Sequence, residues 1–135
     1  MTALLMNRYT KYRDGLISAH PVKGNSRIFK GSLVCCDATG YAVPGSDAAG
    51  LAFLGIALEE ANNTGGADGA IRIRVQTQGV FSLAKSGAIT QANLGQWVYV
   101  SDDQTVALAP TVTNDVLCGR LEGLDEQDVW VRLAY

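Results

Sequence analysis

The sequence predicts an all-β protein, a small β-barrel or β-sandwich with an extended N-terminal arm. Short stretches rich in β-branched and aromatic residues recur along the chain, and clusters of Gly, Asp, Asn and Pro separate them. No stretch has room for the usual three turns of helix. The chain has 135 residues, 47% apolar and 18% charged, with 15 glycines and three prolines. This composition is typical of one globular domain with many tight turns.

Nine segments have the character of strands. In chain order they are residues 27–37, 40–44, 53–60, 69–77, 79–84, 96–101, 105–109, 116–123 and 128–135. The cleanest alternation lies in the fourth segment, where Ile71, Ile73 and Val75 share one face and Arg72 and Arg74 share the other. One face of this strand is therefore predicted to enter the core, and the other to meet water or a partner.

The two tryptophans lie in the last third of the chain. Residues 128–135 alternate apolar side chains with Trp130 and Arg132, which predicts that Trp130 points away from the core. Trp97 and Tyr99 share a strand face, and they either fill a barrel interior or form an apolar exterior. Core packing is the alternative for both tryptophans.

Helices and loops occupy little of the remaining chain. Residues 48–55 and 89–95 could each hold a helical turn, but glycines interrupt both. Asp102 and Asp103 are predicted to form a polar turn between two strands rather than a carboxylate site, because Asp side chains hydrogen-bond their own backbone in turns. Residues 62–69, "NNTGGADG", are predicted to be a mobile loop tip.

Charge divides the chain unevenly around a net charge of −2. Residues 1–36 carry six Lys or Arg and one Asp, for +5, whereas residues 37–135 carry five and twelve acids, for −7. We divide the chain into a basic arm, residues 1–27, and a β domain, residues 28–135. The arm has no dense Lys/Arg block and the acidic body would repel phosphate, which argues against nucleic acid. Docking on an acidic protein surface, either the protein's own body or that of a neighbour, is expected instead.

The sequence contains few candidates for a catalytic site, a metal site or a membrane-spanning segment. No apolar run approaches the length that spans a bilayer, and no signal peptide is recognised, so synthesis in the cytosol and no membrane contact are expected. Cys35, Cys36 and Cys118 lack the spacing of a metal knuckle and are predicted to be reduced core residues. With His20 as the single histidine, we expect no metal, no cofactor and no enzymatic activity. A Cys–His nucleophilic pair stays a formal alternative.

A resemblance extends over about residues 28–135. It is carried by "GVFSLAKSGAITQANLGQWVYVSDDQTVAL" at 79–108 and "VLCGRLEGLDEQDVWVRLAY" at 116–135, with "GSLVCCDATGYAVP" at 31–44 and "GIA" at 55–57 before them. This order of strands and turns resembles the head decoration, or capsid cement, proteins of tailed bacteriophages. The arm is longer and more basic than the family pattern.

The resemblance implies a β-tulip-like fold and a structural role without catalysis. Such a protein is expected to form a homotrimer and to bind the outside of the expanded head. There it would clamp neighbouring subunits of the major capsid protein after synthesis in the bacterial cytoplasm. The expected contact residues are Arg8, Tyr9, Tyr12 and Arg13 of the arm, and Trp97 and Trp130 as anchors.

Two other functions remain open. A phage tail or baseplate β module would share the same strand pattern but assemble with tails. A small carbohydrate-binding domain would use exposed aromatic residues as sugar platforms.

Overall fold

The structure is a computed structural model that describes residues 2–11, 13 and 15–134. It confirms the all-β class: twelve strands and two single-turn 3-10 helices make up the regular structure of the described residues. The strands are β1 (Ile17–Pro21), β2 (Arg27–Ile28), β3 (Leu33–Cys36), β4 (Ala42–Pro44), β5 (Ala52–Ala57), β6 (Ala61–Asn62), β7 (Arg72–Gln76), β8 (Val80–Lys85), β9 (Trp97–Val100), β10 (Thr105–Ala107), β11 (Leu117–Leu124) and β12 (Asp128–Leu133). The 3-10 turns are Gln91–Asn93 and Ala109–Thr111.

The first half of the chain forms an open antiparallel sheet. Its strand order is β1-β7-β5-β3-β4, so β1 and β4 are the two edges. Strand β1 pairs along its whole length with β7, from Ile17 opposite Gln76 to Pro21 opposite Arg72. Strands β2 and β6 form a separate two-stranded pair. The N-terminal arm therefore enters the fold at an edge of the larger sheet.

The second half closes into a five-stranded barrel. Neighbouring strands follow the order β10-β8-β12-β11-β9, and β9 returns to β10. Four of the five pairings are antiparallel, and the parallel pair of β8 and β10 completes the barrel. Closure leaves no free strand edge in this half, which removes the unpaired backbone groups that promote edge-to-edge association.

Two apolar cores hold these units together. The barrel interior continues onto one face of the open sheet, through Leu33, Cys35, Phe53 and Ile56. The other face of that sheet packs against residues from β2, β4, β6 and the turn after β1; this second core comprises Val22, Ile28, Val34, Ala42, Ala57, Ala61, Ile73 and Val75. Strand β3 is buried on both faces, which explains its unbroken apolar run "LVCC".

The alternating patterns seen in the sequence are confirmed. Ile73 and Val75 are buried while Arg72 and Arg74 are exposed, and β12 buries Val129 in the same way. Residues 48–55 contribute to β5 instead of a helical turn, because each face of this strand contacts apolar neighbours. The other candidate helical segment does contain a 3-10 turn, Gln91–Asn93.

The boundary of the arm differs from the one predicted. Residues 17–27, which we assigned to the arm, form β1, the buried Val22 and the start of β2. Pairing with β7 supplies the backbone partners of β1, and this long-range contact has no local signature in the sequence. The β-structure therefore begins at Ile17. Below, "the arm" means residues 1–16.

Two polar loops have different outcomes. Asp102 forms the predicted turn: its Oδ1 accepts hydrogen bonds from the backbone N–H groups of Gln104, at 2.9 Å, and Thr105, at 2.8 Å. Mobility of the tip at residues 62–69 stays a prediction, but the loop is anchored at one residue. Asn63 is buried in this loop, and its side-chain amide donates to the carbonyls of Val22, Lys23 and Ala67. The polar sequence of residues 62–69 contains no local pattern that indicates burial of one Asn side chain.

The three cysteines are free thiols in unequal surroundings. Burial raises the pKa of both the Cys35 and the Cys118 thiol to about 12, whereas Cys36 is only half-buried. At pH 8 a thiol with that pKa is ionised in about one molecule in 10⁴, and the thiolate is the reactive form. The prediction of reduced core residues thus applies fully to two of the three.

We expect a thiol reagent such as 5,5′-dithiobis(2-nitrobenzoate) to modify one cysteine of the native protein at pH 8. That residue should be Cys36, and all three should react once the chain is unfolded in denaturant. Peptide mapping after a short pulse identifies the modified position. Rapid labelling of Cys35 or Cys118 in the native state would contradict the burial described here.

Candidate docking surfaces

The arm exposes a run of apolar and basic side chains. Its described residues, 2–11, 13, 15 and 16, contain no strand or helix, and all are exposed. Leu5 is 95% exposed and Tyr9 is 89% exposed, with Leu4 and Met6 close behind. Single apolar residues on a surface are ordinary, but a run of them usually marks a contact.

The predicted arm residues lie in this run. Arg8, Tyr9 and Arg13 are exposed, and Tyr12 lies outside the described residues. The basic side chains give the arm a positive charge that complements an acidic surface. Within the described part of the chain, no backbone hydrogen bond or cation–π contact joins residues 2–11 or 13 to the β-structure.

The arm is joined to the sheet at Thr77. The carbonyl of Leu16 accepts the backbone N–H of Thr77 at 2.9 Å, and the carbonyl of Gly15 accepts its hydroxyl. The next strand, β1, carries His20. Burial lowers the pKa of its imidazole, and the positive charges of Arg72 and Arg13 lower it further.

A small apolar hollow lies beside this junction. It measures about 280 Å³, and its wall includes Ser18, His20, Phe53 and Leu54. Ser18 Oγ and His20 Nε2 form a hydrogen bond of 2.7 Å. The histidine thus pairs with a serine two residues away on the same strand face, not with a cysteine. Sequence alternation alone could have suggested this pairing, because residues i and i+2 share a face.

The tryptophans lie on the outer surface of the barrel. Trp97 is 49% exposed and Trp130 is 41% exposed, so neither fills the interior. Tyr99 shares the outward face of β9 with Trp97, while Val98 and Val100 point inward. The outward orientation predicted for Trp130 is confirmed, and for Trp97 the exterior alternative is the correct one. Core packing is excluded for both.

Trp97 forms a ridge between two depressions. One, of about 470 Å³, is bordered by Trp97, Tyr99 and the 3-10 turn at Ala109. The other, of about 380 Å³, lies toward β11 and β12. The guanidinium of Arg120 stands 5.8 Å from the centre of the indole ring, within the range of a cation–π contact.

Trp130 has a more acidic setting. Its indole Nε1 donates to Asp125 Oδ2 at 3.1 Å, and its ring covers Gly123 on β11. Asp128 begins the same strand and accepts a long hydrogen bond, 3.3 Å, from Ser82. The hydrogen bond fixes the indole orientation while leaving one ring face open to a partner.

The structure does not gather the predicted contact residues into one patch. The arm leaves from the open sheet, while Trp97 and Trp130 lie on barrel strands β9 and β12, which flank β11. No group of three or more His, Cys, Asp or Glu side chains among the described residues could hold a metal ion. In the described part of the chain no helix is long and apolar enough to cross a membrane.

Comparisons with known proteins add no identification. No protein-family model, no curated protein and no solved structure matches this chain.

Proposed function

We propose that this protein is a non-enzymatic structural protein that binds the outer surface of a tailed-bacteriophage head. It would stabilise the expanded shell by clamping neighbouring subunits of the major capsid protein, after synthesis in the host cytoplasm. The proposal starts from the resemblance of residues 28–135 to head decoration proteins. The exposed arm is the observation that carries it beyond a general β domain.

The exposed apolar side chains of the arm favour binding to a partner. Leu4, Leu5, Met6 and Tyr9 are exposed to water in the isolated chain. Burial of such side chains against a partner gains about 25 cal/mol per Å² of apolar surface, from which the ordering of the arm must be subtracted. A segment of this kind binds by wrapping over a large surface rather than by filling a pocket.

Electrostatics favours an acidic partner surface for the arm. Arg8, Lys11 and Arg13 are exposed, and screening at physiological ionic strength limits their attraction to about 8 Å. A partner carboxylate must therefore lie close to the bound arm. We expect head binding to weaken as salt concentration rises, with the apolar contacts supplying the residual affinity.

Several weak contacts suffice if they act together. A homotrimer would present three arms and three barrel surfaces to neighbouring capsid subunits, and linkage raises the overall affinity far above that of a single contact. The separation of the arm from the tryptophans supports this arrangement, since one protomer would contact the shell through two surfaces.

The test is co-sedimentation of the purified protein with expanded heads that lack it. The comparison is a variant that starts at Gly15, because a start near Asn25 would remove β1 and Val22 from the fold. Saturable binding of the full chain and loss with the truncation is the expected result. Thr10→Ser serves as a conservative control within the arm.

Two results would overturn parts of the proposal. Failure of the folded full chain to bind heads would rule out decoration, and binding to purified tails instead would establish the tail module. Equal binding by both chains would move the contact from the arm to the β domain.

The tryptophans give a separate prediction. We expect Trp97→Ala and Trp130→Ala each to weaken head binding by about 2 kcal/mol or more, roughly 30-fold, if they are anchors. Because both tryptophans are half-exposed, each substitution should lower the free energy of unfolding by less than the roughly 3–5 kcal/mol that replacement of a buried tryptophan costs. Binding isotherms and urea unfolding measure the two effects. Unchanged binding by a variant would remove that residue from the contact.

A further inference from the structure

A basic hollow lies on the outer surface of the barrel, where β9, β11 and β12 meet. Its volume is about 380 Å³, within the range of roughly 300–1,000 Å³ that is common for ligand sites. Below it is called the arginine hollow, and its lining residues are Trp97, Leu117, Arg120, Arg132, Leu133 and Ala134. Most of the wall is apolar, with two guanidinium groups as the charged groups.

Strand register produces the concentration of charge. Arg120 of β11 lies opposite Trp97 of β9 on one side and opposite Arg132 of β12 on the other. Like charges directly opposite each other in a sheet are destabilising by a few tenths of a kcal/mol or more. A fold that keeps such a pair breaks a local rule of stability, and rules of this kind are most often broken at functional positions.

The two arginines differ in their partners. Arg132 is neutralised by Glu122, whose Oε1 accepts from Arg132 Nε at 2.5 Å. Arg120 has no ion pair with any acid of the described residues, and its guanidinium contacts the ring of Trp97. A guanidinium has five N–H donors in a planar fork that matches a carboxylate. The cation–π contact with the indole leaves N–H donors of that fork available.

We infer that the arginine hollow docks an acidic peptide segment of the partner protein, with one Asp or Glu carboxylate on Arg120. An apolar neighbour of that residue would pack against the exposed Leu117, and the indole of Trp97 would cover the ion pair formed with Arg120. The inference rests on the proposed function in one respect: it takes the partner to be a capsid subunit. Desolvation beside the indole would strengthen the charge-assisted hydrogen bond.

Charge complementarity excludes the most obvious alternative occupant. The arm of a second copy has apolar residues of suitable size, but it also carries Arg8, Lys11 and Arg13, which the unpaired Arg120 would repel. The arm and the arginine hollow therefore both require acidic side chains on the partner. Two separate basic surfaces on one protomer match a single acidic shell.

The inference can be tested without heads, by nuclear magnetic resonance on the full chain. The probe is the peptide N-acetyl-Leu-Asp-Leu-amide, and its control is the same peptide with Asn in place of Asp. We expect saturable shifts of the Trp97 indole N–H and the Arg120 Nε–H, with the Trp130 indole N–H as an internal reference. The Asn peptide should bind at least tenfold more weakly.

Arg120→Gln supplies the matched variant. Loss of a hydrogen bond between charged groups should weaken binding of the Asp peptide about 10- to 100-fold. The substitution removes the like-charge pair but also the cation–π contact with Trp97, two effects of similar size and opposite sign. The melting temperature of the variant should therefore stay close to that of the parent protein, whereas loss of a structural residue would lower it. Arg132→Gln should have the smaller effect on binding, since Glu122 already occupies that guanidinium.

The outcomes separate this inference from the proposed function. Equal shifts with the Asp and Asn peptides, a saturable response to a neutral oligosaccharide instead, or dissociation of a homo-oligomer by Arg120→Gln would each overturn the acidic-peptide assignment. Head binding without peptide binding would support the proposed function and contradict the assignment of the arginine hollow as a peptide site. Peptide binding without head binding would support an acidic-peptide site in the hollow and contradict head decoration.

Discussion

Gly119→Ala is expected to lower the free energy of unfolding by about 3 kcal/mol, the upper end of the usual cost of overpacking. Gly119 lies on β11, opposite Leu133 of β12. A Cβ at this position would overlap the carbonyl oxygen of Arg132, and it would lie 2.9 Å from that carbonyl carbon and 3.0 Å from Val131 Cγ1. The clash involves backbone, which cannot rotate away as a flexible side chain could. Strands β11 and β12 would have to separate.

Urea unfolding monitored by circular dichroism measures this effect, which corresponds to a fall in melting temperature of roughly 10 °C. Gly87→Ala is the matched control, because a Cβ there meets no described atom within 4 Å. Its stability should be unchanged or raised by up to about 1 kcal/mol, as the unfolded chain loses freedom. Equal stability of Gly119→Ala and the parent would show that β11 and β12 are not as close as described.

Asn63→Ala is expected to lower the free energy of unfolding by about 2–3 kcal/mol. The side-chain Nδ2 donates to Val22 O and Lys23 O, both at 3.1 Å, and to Ala67 O at 2.9 Å. These bonds join the loop between β6 and β7 to the turn that follows β1. Each carbonyl keeps one backbone partner, so the loss is smaller than that of three orphaned acceptors.

Asn62→Ala is the matched control, because it removes an exposed Asn side chain from the same loop. Asn62 is exposed, and its Oδ1 accepts from the backbone N–H and the hydroxyl of Thr64 within the same turn. We expect a loss of about 1 kcal/mol or less at this position. Amide hydrogen exchange adds a second readout: protection of the Asn25 and Gly69 N–H groups should fall in Asn63→Ala alone. Similar losses for both variants would contradict a central role of Asn63.

The strands were the most predictable part of this protein. Alternation in β7 and β12 records which side chains meet the core, because successive residues of a strand point to opposite faces. The outward orientation of Trp130 followed directly from that rule. For Trp97 the same rule gave only two options, since Val98 and Tyr99 are both able to fill an interior.

The candidate surfaces were predictable in unequal measure. Composition alone indicated a basic, apolar arm, but its end at Leu16 depended on the pairing of β1 with β7. The arginine hollow was missed. Arg120 and Arg132 are 12 positions apart, and the β-bulge between Leu121 and Gly123 shifts the register that places them side by side.

The sequence by itself determined the all-β class, the inward faces of the longer strands, the Asp102 turn and the basic character of the N-terminal segment. These properties depend on neighbours within a few residues, through strand period, turn chemistry and composition. Tertiary structure alone decided the closure of the barrel by the parallel pair of β8 and β10, the burial of Asn63 and the meeting of Trp97 with Arg120. Each of these depends on pairing between distant segments, whose register is fixed by the packing of the whole core rather than by any local pattern.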